Sequence, residues 1–232
     1  MRILFIHHST GGNLIKEGGL RDEIKKLNSG VEFWDHSYNL FPMFPKLVAK
    51  YTHLKGLSDP QGKYTGKDYN IVLSNGSPKE YADIFGRDPH DATLKSILSY
   101  DLIAFKNCYP TTRITSGRQL SEDIKFYDAI RDSLKKYKNN KFVILTPPPA
   151  RSETTTAQNA QRAQKLVAHM ASGNFITPAP NVFIFDFFKL LSDGNGFLKK
   201  DYARKLFFDS HPNKKANKDI APIFANFLVT RL

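Results

Sequence analysis

The chain has 232 residues, of which 41% are hydrophobic and 12% aromatic, enough for one α/β domain around a single core. Lysine and arginine outnumber aspartate and glutamate by 34 to 22, a net charge of +12, so the surface is expected to attract anions. The single cysteine excludes an internal disulfide framework and a cysteine-based zinc cluster. No apolar stretch approaches the length of a membrane span.

The basic residues are scattered, with short clusters at Lys135–Lys138, Lys199–Lys205 and Lys214–Lys218. No recognised nucleic-acid-binding motif accompanies them, so we interpret them as solvated helix faces and expect no nucleic-acid partner. The opening MRILFI is too short an apolar run for a signal peptide. The chain as written is therefore expected to be cytoplasmic, and secreted or periplasmic only if a signal peptide has been removed. The oligomeric state is left open.

Short apolar runs alternate with helical patterns along the chain, which is typical of βαβ units and a parallel sheet. The predicted strands are Ile3–Ile6, Val31–Trp34, Leu102–Phe105, Phe142–Leu145 and Val182–Phe185. Helices are predicted at Leu20–Leu27, Leu120–Tyr137 and Ala157–Met170, and a last helix carries an apolar stripe with Pro212 in its first turn. We expect a single domain over residues 1–232.

One segment fits this alternation poorly. Residues 38–68 are rich in glycine, proline, tyrosine and lysine, and are predicted to form a long irregular excursion over the surface. Because such a long irregular segment in a compact domain usually has a function, we assign it to the substrate side.

In an open parallel sheet the ligand crevice lies beyond the carboxyl ends of the strands. The residues that follow the predicted strands are therefore informative. His7, His8 and Ser9 follow the first, Asp35, His36 and Ser37 the second, and Lys106, Asn107, Cys108 and Tyr109 the third, while FFDSHPN precedes the last helix. Ser9, Asn107, Asp209 and His211 are thus predicted at one edge of the sheet.

These residues supply the parts of nucleophilic acyl transfer. Ser9 is the candidate nucleophile, His211 its base and Asp209 the carboxylate that orients the base. The negative oxygen of the tetrahedral intermediate needs preorganised donors. The backbone N–H groups of Ser9 and Gly76 and the side-chain amide of Asn107 are the candidates for this oxyanion hole.

The order of strand, serine loop, later asparagine and carboxyl-terminal Asp/His/Pro/Asn resembles the SGNH, or GDSL-like, hydrolases. The resemblance covers nearly the whole chain and implies a three-layer α/β/α, flavodoxin-like sandwich with a central, mostly parallel five-stranded sheet. HHS stands where the family has GDS, which passes the nucleophile role to Ser9. Gly76 matches the glycine of the second block, Asn107 the asparagine of the third, and DSHPN the fifth.

Two departures separate the chain from that pattern. His8 replaces the aspartate before the serine, and one residue, rather than two, separates Asp209 from His211. Residues two apart in an extended segment point the same way, and His211 precedes a proline, which favours extended backbone. Contact between Asp209 and the ring does not follow from spacing alone, and a backbone carbonyl is the alternative partner.

The sequence therefore predicts a serine hydrolase that cleaves an ester, an acyl or acetyl group on a carbohydrate or small-molecule alcohol, without a cofactor. His8, His36, Tyr38 and Tyr109 are predicted substrate contacts. Two alternatives stay open. One is a non-catalytic protein of the same fold that binds carbohydrate or an anionic ligand; the other is a metal-dependent hydrolase that uses His7, His8, Asp35 and His36.

Overall fold

The computed structural model describes residues 1–40 and 56–232. Its strands are β1 Arg2–His7, β2 Glu32–Ser37, β3 Asn39–Leu40, β4 Gly56–Ser58, β5 Val72–Leu73, β6 Leu102–Lys106, β7 Lys141–Leu145 and β8 Val182–Phe185. The main sheet has the order β4-β2-β1-β6-β7-β8, and β3 and β5 form a separate parallel pair. The ladders among β2, β1, β6, β7 and β8 are parallel, and β4 runs antiparallel to β2.

Helices cover both faces of this sheet. They are α1 Ser9–Lys16, α2 Leu20–Leu27, α3 Lys79–Phe85, α4 Ala92–Leu98, α5 Gly117–Leu134, α6 Ala157–Met170, α7 Gly173–Ile176, α8 Phe187–Leu191 and α9 Lys214–Val229, with short 3-10 turns at Tyr109–Thr112 and Lys200–Tyr202. None of the described helices is long and apolar enough to cross a membrane.

The alternation of side chains along each strand divides the core into two layers. Ile3 and Phe5 of β1 pack with α1, α2 and α9 on one face. Leu4 and Ile6, their neighbours, pack with α3, α4 and α5 on the other. Because both faces are buried, the parallel strands are almost continuously apolar. The three-layer α/β/α prediction is confirmed.

The five predicted strands are present, but the main sheet has six. The additional strand β4 lies inside the segment predicted to be irregular, as does β3, so that prediction was wrong for Gly56–Ser58 and for Asn39–Leu40. Gly56–Ser58 is too short to show an alternation of apolar and polar residues. Its extended backbone depends instead on pairing with Asp35–Ser37 of β2. Residues 41–55 of the predicted excursion lie outside the described residues.

Several predicted boundaries also move, and two of these shifts concern residues near the candidate site. Strand β2 continues to Ser37, so Asp35 and His36 lie within it and do not follow it. The last helix begins at Lys214, because the Asn213 side chain caps it by accepting a hydrogen bond from the Ala216 N–H. Pro212 therefore precedes the helix and is not part of its first turn.

Candidate active site

Ser9 is the first residue of α1, and only His8 separates it from the end of β1. His8 has extended backbone, with φ −132° and ψ −160°, and its carbonyl accepts hydrogen bonds from the N–H groups of Gly11 and Gly12 at 2.8 and 3.0 Å. A Cβ at Gly11 would lie 2.4 Å from Cβ of His7. The glycine thus allows the helix to start directly against the strand, with no intervening turn.

Ser9, His211 and Asp209 form a continuous hydrogen-bonded chain. Nδ1 of His211 lies 2.5 Å from Oδ1 of Asp209, and Nε2 lies 2.8 Å from Oγ of Ser9. Because a carboxylate only accepts, the Nδ1 atom carries the ring proton and Nε2 is free to accept the serine proton. All three residues are partly exposed, so the hydroxyl is accessible from solvent.

The segment that carries the histidine is held from its other side. Ser210 is fully buried between Asp209 and His211, and its Oγ accepts the N–H of Arg151 at 3.2 Å and lies 2.9 Å from Oγ1 of Thr154. Ser210 is thus anchored inward, while Asp209 and His211 on either side of it stay partly exposed and meet Ser9.

The Asp209 carboxylate is set up to remain ionised. Partial burial raises the pKa of its carboxyl, but hydrogen bonds from the backbone N–H and ring of His211, together with the charges of His211 and Arg204, outweigh burial and leave the pKa below its ordinary value. An ionised carboxylate beside Nδ1 stabilises the imidazolium that forms when the histidine accepts a proton.

Asn107 lies at the end of β6 with its amide held by two partners. Oδ1 accepts the hydroxyl proton of Tyr127 at 3.0 Å, and Nδ2 donates to the carbonyl of Ser77 at 3.0 Å. The carbonyl can only accept, which fixes the orientation of the amide. One of the two Nδ2 hydrogens is used in this way, and the amide also fastens the loop that contains Gly76.

That loop, residues 74–78, is held by further contacts that sequence reasoning missed. Asn75 has the left-handed φ of 69°. Its Oδ1 accepts the Tyr38 hydroxyl at 2.5 Å and its carbonyl accepts the Thr111 hydroxyl at 3.3 Å. Asparagine tolerates this conformation better than most residues, so the SNGSP sequence did contain a local signal. A Cβ at Gly76 would meet no heavy atom within 4 Å, so space alone does not require glycine there.

Lys106 and Cys108 lie beneath the serine. Cys108 is fully buried, and its sulfur is 3.6 Å from Oγ of Ser9 and 3.5 Å from Oγ1 of Thr10. Lys106 is also fully buried, and its Nζ has no hydrogen-bond partner among the described residues. Lys106 is therefore not a surface cation. Burial lowers the pKa of its ammonium.

The four residues of the metal alternative are divided between different environments. His7 is buried and donates from Nε2 to Oδ2 of Asp35 at 2.9 Å, and Arg21 pairs with the other carboxylate oxygen. His36 is fully buried, and its Nε2 accepts the Tyr69 N–H at 3.0 Å. Within residues 1–40 and 56–232, no three His, Cys, Asp or Glu side chains are grouped to hold a metal ion.

Burial keeps the two adjacent histidines neutral. Desolvation lowers the pKa of His7 to about 3, and nearby Lys106, Arg21 and Lys16 also lower it. Desolvation, followed by the charges of Lys106, His7 and His211, lowers the pKa of His8 to about 4. His8 stands where the SGNH hydrolases have an aspartate before the serine. In this chain the residue before Ser9 is thus an uncharged group.

The predicted substrate contacts fall into two pairs. His8 lines the cavity that contains Ser9, and the Tyr109 ring packs edge-on against His211 with centroids 5.1 Å apart. Tyr38 is 1% exposed and His36 is not exposed, so neither side chain is placed where a substrate reaches it. Tyr38 instead supports the loop at Asn75.

The cavity beside the serine has a volume of about 320 Å³. Most of the residues that line it have polar side chains. They come from β1, α1, β2 and the β4 region and include His8, Ser9, Asn13, Lys16, Asp35, Ser37, Ser58 and Tyr64. The cavity is therefore suited to a ligand rich in hydroxyl groups or carrying charge.

Comparisons with known proteins agree on the architecture. No family model and no curated protein sequence matches the chain. Among solved structures, a carbohydrate esterase of family 3 from Talaromyces cellulolyticus is 15% identical with a TM-score of 0.57, covering 99% of this chain and 97% of the other. A GDSL-like lipase from Bacteroides thetaiotaomicron is 11% identical with a TM-score of 0.54, covering 99% and 88%.

A candidate acylhydrolase from Bacteroides fragilis is also similar, with 12% identity and a TM-score of 0.55, covering 100% of this chain and 88% of the other. At these identities the likeness concerns the fold, and it extends over the whole chain and nearly all of each relative. The chain has the fold of the SGNH, or GDSL-like, hydrolases.

Proposed function

We propose that the chain is a serine hydrolase that cleaves an ester through an acyl-enzyme. One observation carries the proposal: the hydrogen-bonded chain from Asp209 through His211 to Ser9, with distances of 2.5 and 2.8 Å. A serine hydroxyl becomes a useful nucleophile when a base removes its proton, and an imidazole oriented by a carboxylate is the usual base.

In the proposed first step Oγ of Ser9 attacks the ester carbonyl carbon, and Nε2 of His211 takes the hydroxyl proton. The carbonyl oxygen becomes negative as the tetrahedral intermediate forms. When the intermediate collapses, the bond to the alcohol oxygen breaks and His211 returns the proton to that oxygen. The alcohol leaves, and the acyl group remains on Ser9.

The negative oxygen needs donors that are already in place. Ser9 is the first residue of α1, and the backbone N–H groups of a helix's first turn have no partner within the helix. Its N–H, that of Gly76 and the second Nδ2 hydrogen of Asn107 are our candidates. Support comes from the Asn107–Ser77 hydrogen bond, which ties the candidate amide to the loop of the candidate glycine.

A water molecule completes the cycle. His211 takes a proton from the water as its oxygen attacks the acyl-enzyme carbonyl, and returns this proton to Ser9 as the carboxylic acid leaves. The cycle uses side chains, backbone N–H groups and water. Within the substrate class, the polar cavity supports a carbohydrate or another small polar alcohol as the leaving group, and the structural likeness to a carbohydrate esterase supports the same choice.

The test is labelling with a fluorophosphonate, followed by mapping of the modified residue. We expect the label on Ser9, and expect Ser9→Ala and His211→Ala to abolish it. Ser37→Ala is the matched control, because it removes another hydroxyl of the same cavity. A folded protein that takes no label, or takes it elsewhere, contradicts the proposal and favours the non-catalytic binding protein.

A further inference from the structure

One face of α1 connects the serine to an exposed lysine. Ser9, Asn13 and Lys16 are separated by four and three residues, so their side chains lie on the same side of the helix. All three line the cavity of about 320 Å³ beside the serine. The helix therefore presents the nucleophile, an amide and an ammonium group to one ligand.

Lys16 is the charged residue of the cavity lining that has no ion-pair partner among the described residues. It makes no ion pair or hydrogen bond through its side chain with any residue of the described ranges. The cavity's carboxylate, Asp35, is 6% exposed and already paired with Arg21 and His7. Since the remaining lining residues are neutral, the cavity carries a net positive charge at its Lys16 end.

His8 strengthens this asymmetry. Burial lowers its pKa to about 4, so its ring is uncharged near neutral pH. The histidine side chains that line the cavity beside the serine are therefore uncharged, and among the lining residues the unpaired positive charge belongs to Lys16. An anionic group on the ligand is favoured at the far end, away from the reacting carbonyl.

The length of the helix sets the size of the ligand. Seven residues at 1.5 Å each place the Cα atoms of Ser9 and Lys16 about 10 Å apart along the axis. Side chains of a helix lean toward its N-terminus, which brings the ammonium closer to the serine. One sugar ring fits between a carbonyl at Ser9 and a carboxylate at Lys16. Hydroxyl-bearing Ser37, Ser58 and Tyr64 line the same cavity.

We propose that Lys16 recognises a carboxylate on the alcohol part of the substrate, which makes the substrate an ester of an acidic sugar. This proposal rests on the hydrolase function proposed above, because it places the ester carbonyl at Ser9. Asn13, one turn closer to the serine, donates or accepts a hydrogen bond with a ring hydroxyl.

Lys16 also has a structural role that the test must separate. It lies in the last turn of α1, where a cation interacts favourably with the helix dipole. Loss of that interaction lowers thermal stability but does not discriminate between substrates. Selectivity for charge is therefore the decisive measurement, with thermal unfolding of each variant measured in parallel.

The experiment compares kcat/KM for two esters of the same shape, an acetylated methyl glucuronoside and the corresponding acetylated glucuronamide. The first has a carboxylate where the second has a neutral amide. We expect the wild type to prefer the anionic ester by roughly two- to fivefold, the size of one exposed ion pair, and the preference to shrink with added salt. Lys16→Ala is expected to remove it and Lys16→Glu to reverse it.

Lys125→Ala is the matched control, since it removes the same charge from an exposed position on α5, which packs on the opposite face of the sheet. It should keep the wild-type preference. Equal kcat/KM for the two esters in the wild type, hydrolysis of neither, or an unchanged preference in Lys16→Ala overturns the acidic-sugar proposal. Fluorophosphonate labelling of Ser9 separates these failures from failure of the hydrolase proposal itself.

Discussion

A single oxygen of Asp209 contacts both the backbone and the ring of His211. Oδ1 accepts the His211 N–H at 2.9 Å and lies 2.5 Å from Nδ1. The first contact is the turn that aspartate side chains commonly form with the backbone two residues ahead. The spacing of one intervening residue is thus sufficient for contact, because the local turn brings the carboxylate to the ring.

Replacing this carboxylate tests its role in orienting the base. Asp209→Asn keeps the shape of the side chain but removes its negative charge. The amide can also present an N–H group to Nδ1 of His211 in place of an oxygen. We expect kcat to fall by about a thousandfold or more, with unfolding of the variant close to the wild type. Asp219→Asn, at an exposed ion pair with Lys215 on α9, is the control and should stay fully active. Near-normal activity of Asp209→Asn would show that another group orients His211.

Activity is expected to rise with pH, because a histidine base accepts the Ser9 proton when its ring is neutral and cannot do so when protonated. Asp209, whose pKa lies below its ordinary value, is ionised near neutral pH and contributes no transition there. The measurement is kcat/KM for a soluble ester in buffers of constant ionic strength. A flat profile would count against His211 as the base.

Asn107 is expected to act through Nδ2. Asn107→Ala should lower kcat by about a hundred- to a thousandfold, the usual cost of one oxyanion donor, with a smaller change in KM. Tyr127→Phe is the matched variant, since it removes the hydrogen bond to Oδ1 but leaves Nδ2 bound to Ser77. It should cost about 1 kcal/mol of the free energy of unfolding and little activity. Equal losses of kcat in both variants would indicate a purely structural role.

Two glycines near the site are expected to respond differently to alanine. A Cβ at position 11 would lie 2.4 Å from that of His7, so Gly11→Ala forces α1 away from β1 and should cost about 1–3 kcal/mol of the free energy of unfolding. A Cβ at position 76 enters open space, and Gly76→Ala keeps the backbone N–H. Its kcat should stay within a few-fold of the wild type, and its free energy of unfolding should stay close to that of the wild type. Urea unfolding and kcat distinguish the two, and a severe loss in Gly76→Ala would contradict this assignment.

Asp123 is expected to make the protein less stable as pH rises. Its side chain is 3% exposed, and Oδ2 has no hydrogen-bond partner within the described ranges. Burial, with a smaller contribution from the charge of Glu122, raises its pKa from 3.8 to about 7. Between these values the folded state binds more protons than the unfolded state, so the free energy of unfolding falls with increasing pH.

Asp123→Asn removes this titration. Relative to the wild type, the variant should gain about 1–3 kcal/mol in the free energy of unfolding between about pH 5 and about pH 8, measured by urea unfolding. Asp132→Asn, on the same helix but exposed and paired with Arg131, is the control and should show no such gain. Parallel pH dependences of Asp123→Asn and the wild type would contradict the prediction.

Much of the fold was accessible from sequence, because the signals that specify it are local. Continuous apolar runs mark strands buried on both faces, and the parallel arrangement follows from their alternation with helices. Asp186 directly follows β8, and its side chain caps α8 by accepting the Lys189 N–H at 3.0 Å.

The sequence by itself also determined which residues lie at the edge of the sheet that carries the candidate site. Ser9, Asn107 and His211 lie at or just beyond strand ends or before the last helix, and the carboxyl ends of parallel strands share one edge. Their roles in catalysis stay predictions, since geometry brings side chains together without measuring a reaction.

Tertiary structure alone decided the remaining features. The pairing of β4 with β2 joins residues some twenty positions apart, and the composition of neither strand predicts it. Lys106 is fully buried at the end of β6, although nothing in its short segment distinguishes it from an exposed lysine. Tyr127 and Asn75 hold the oxyanion candidates through contacts between distant segments. Such contacts depend on which elements pack together, a property that no short stretch of sequence contains.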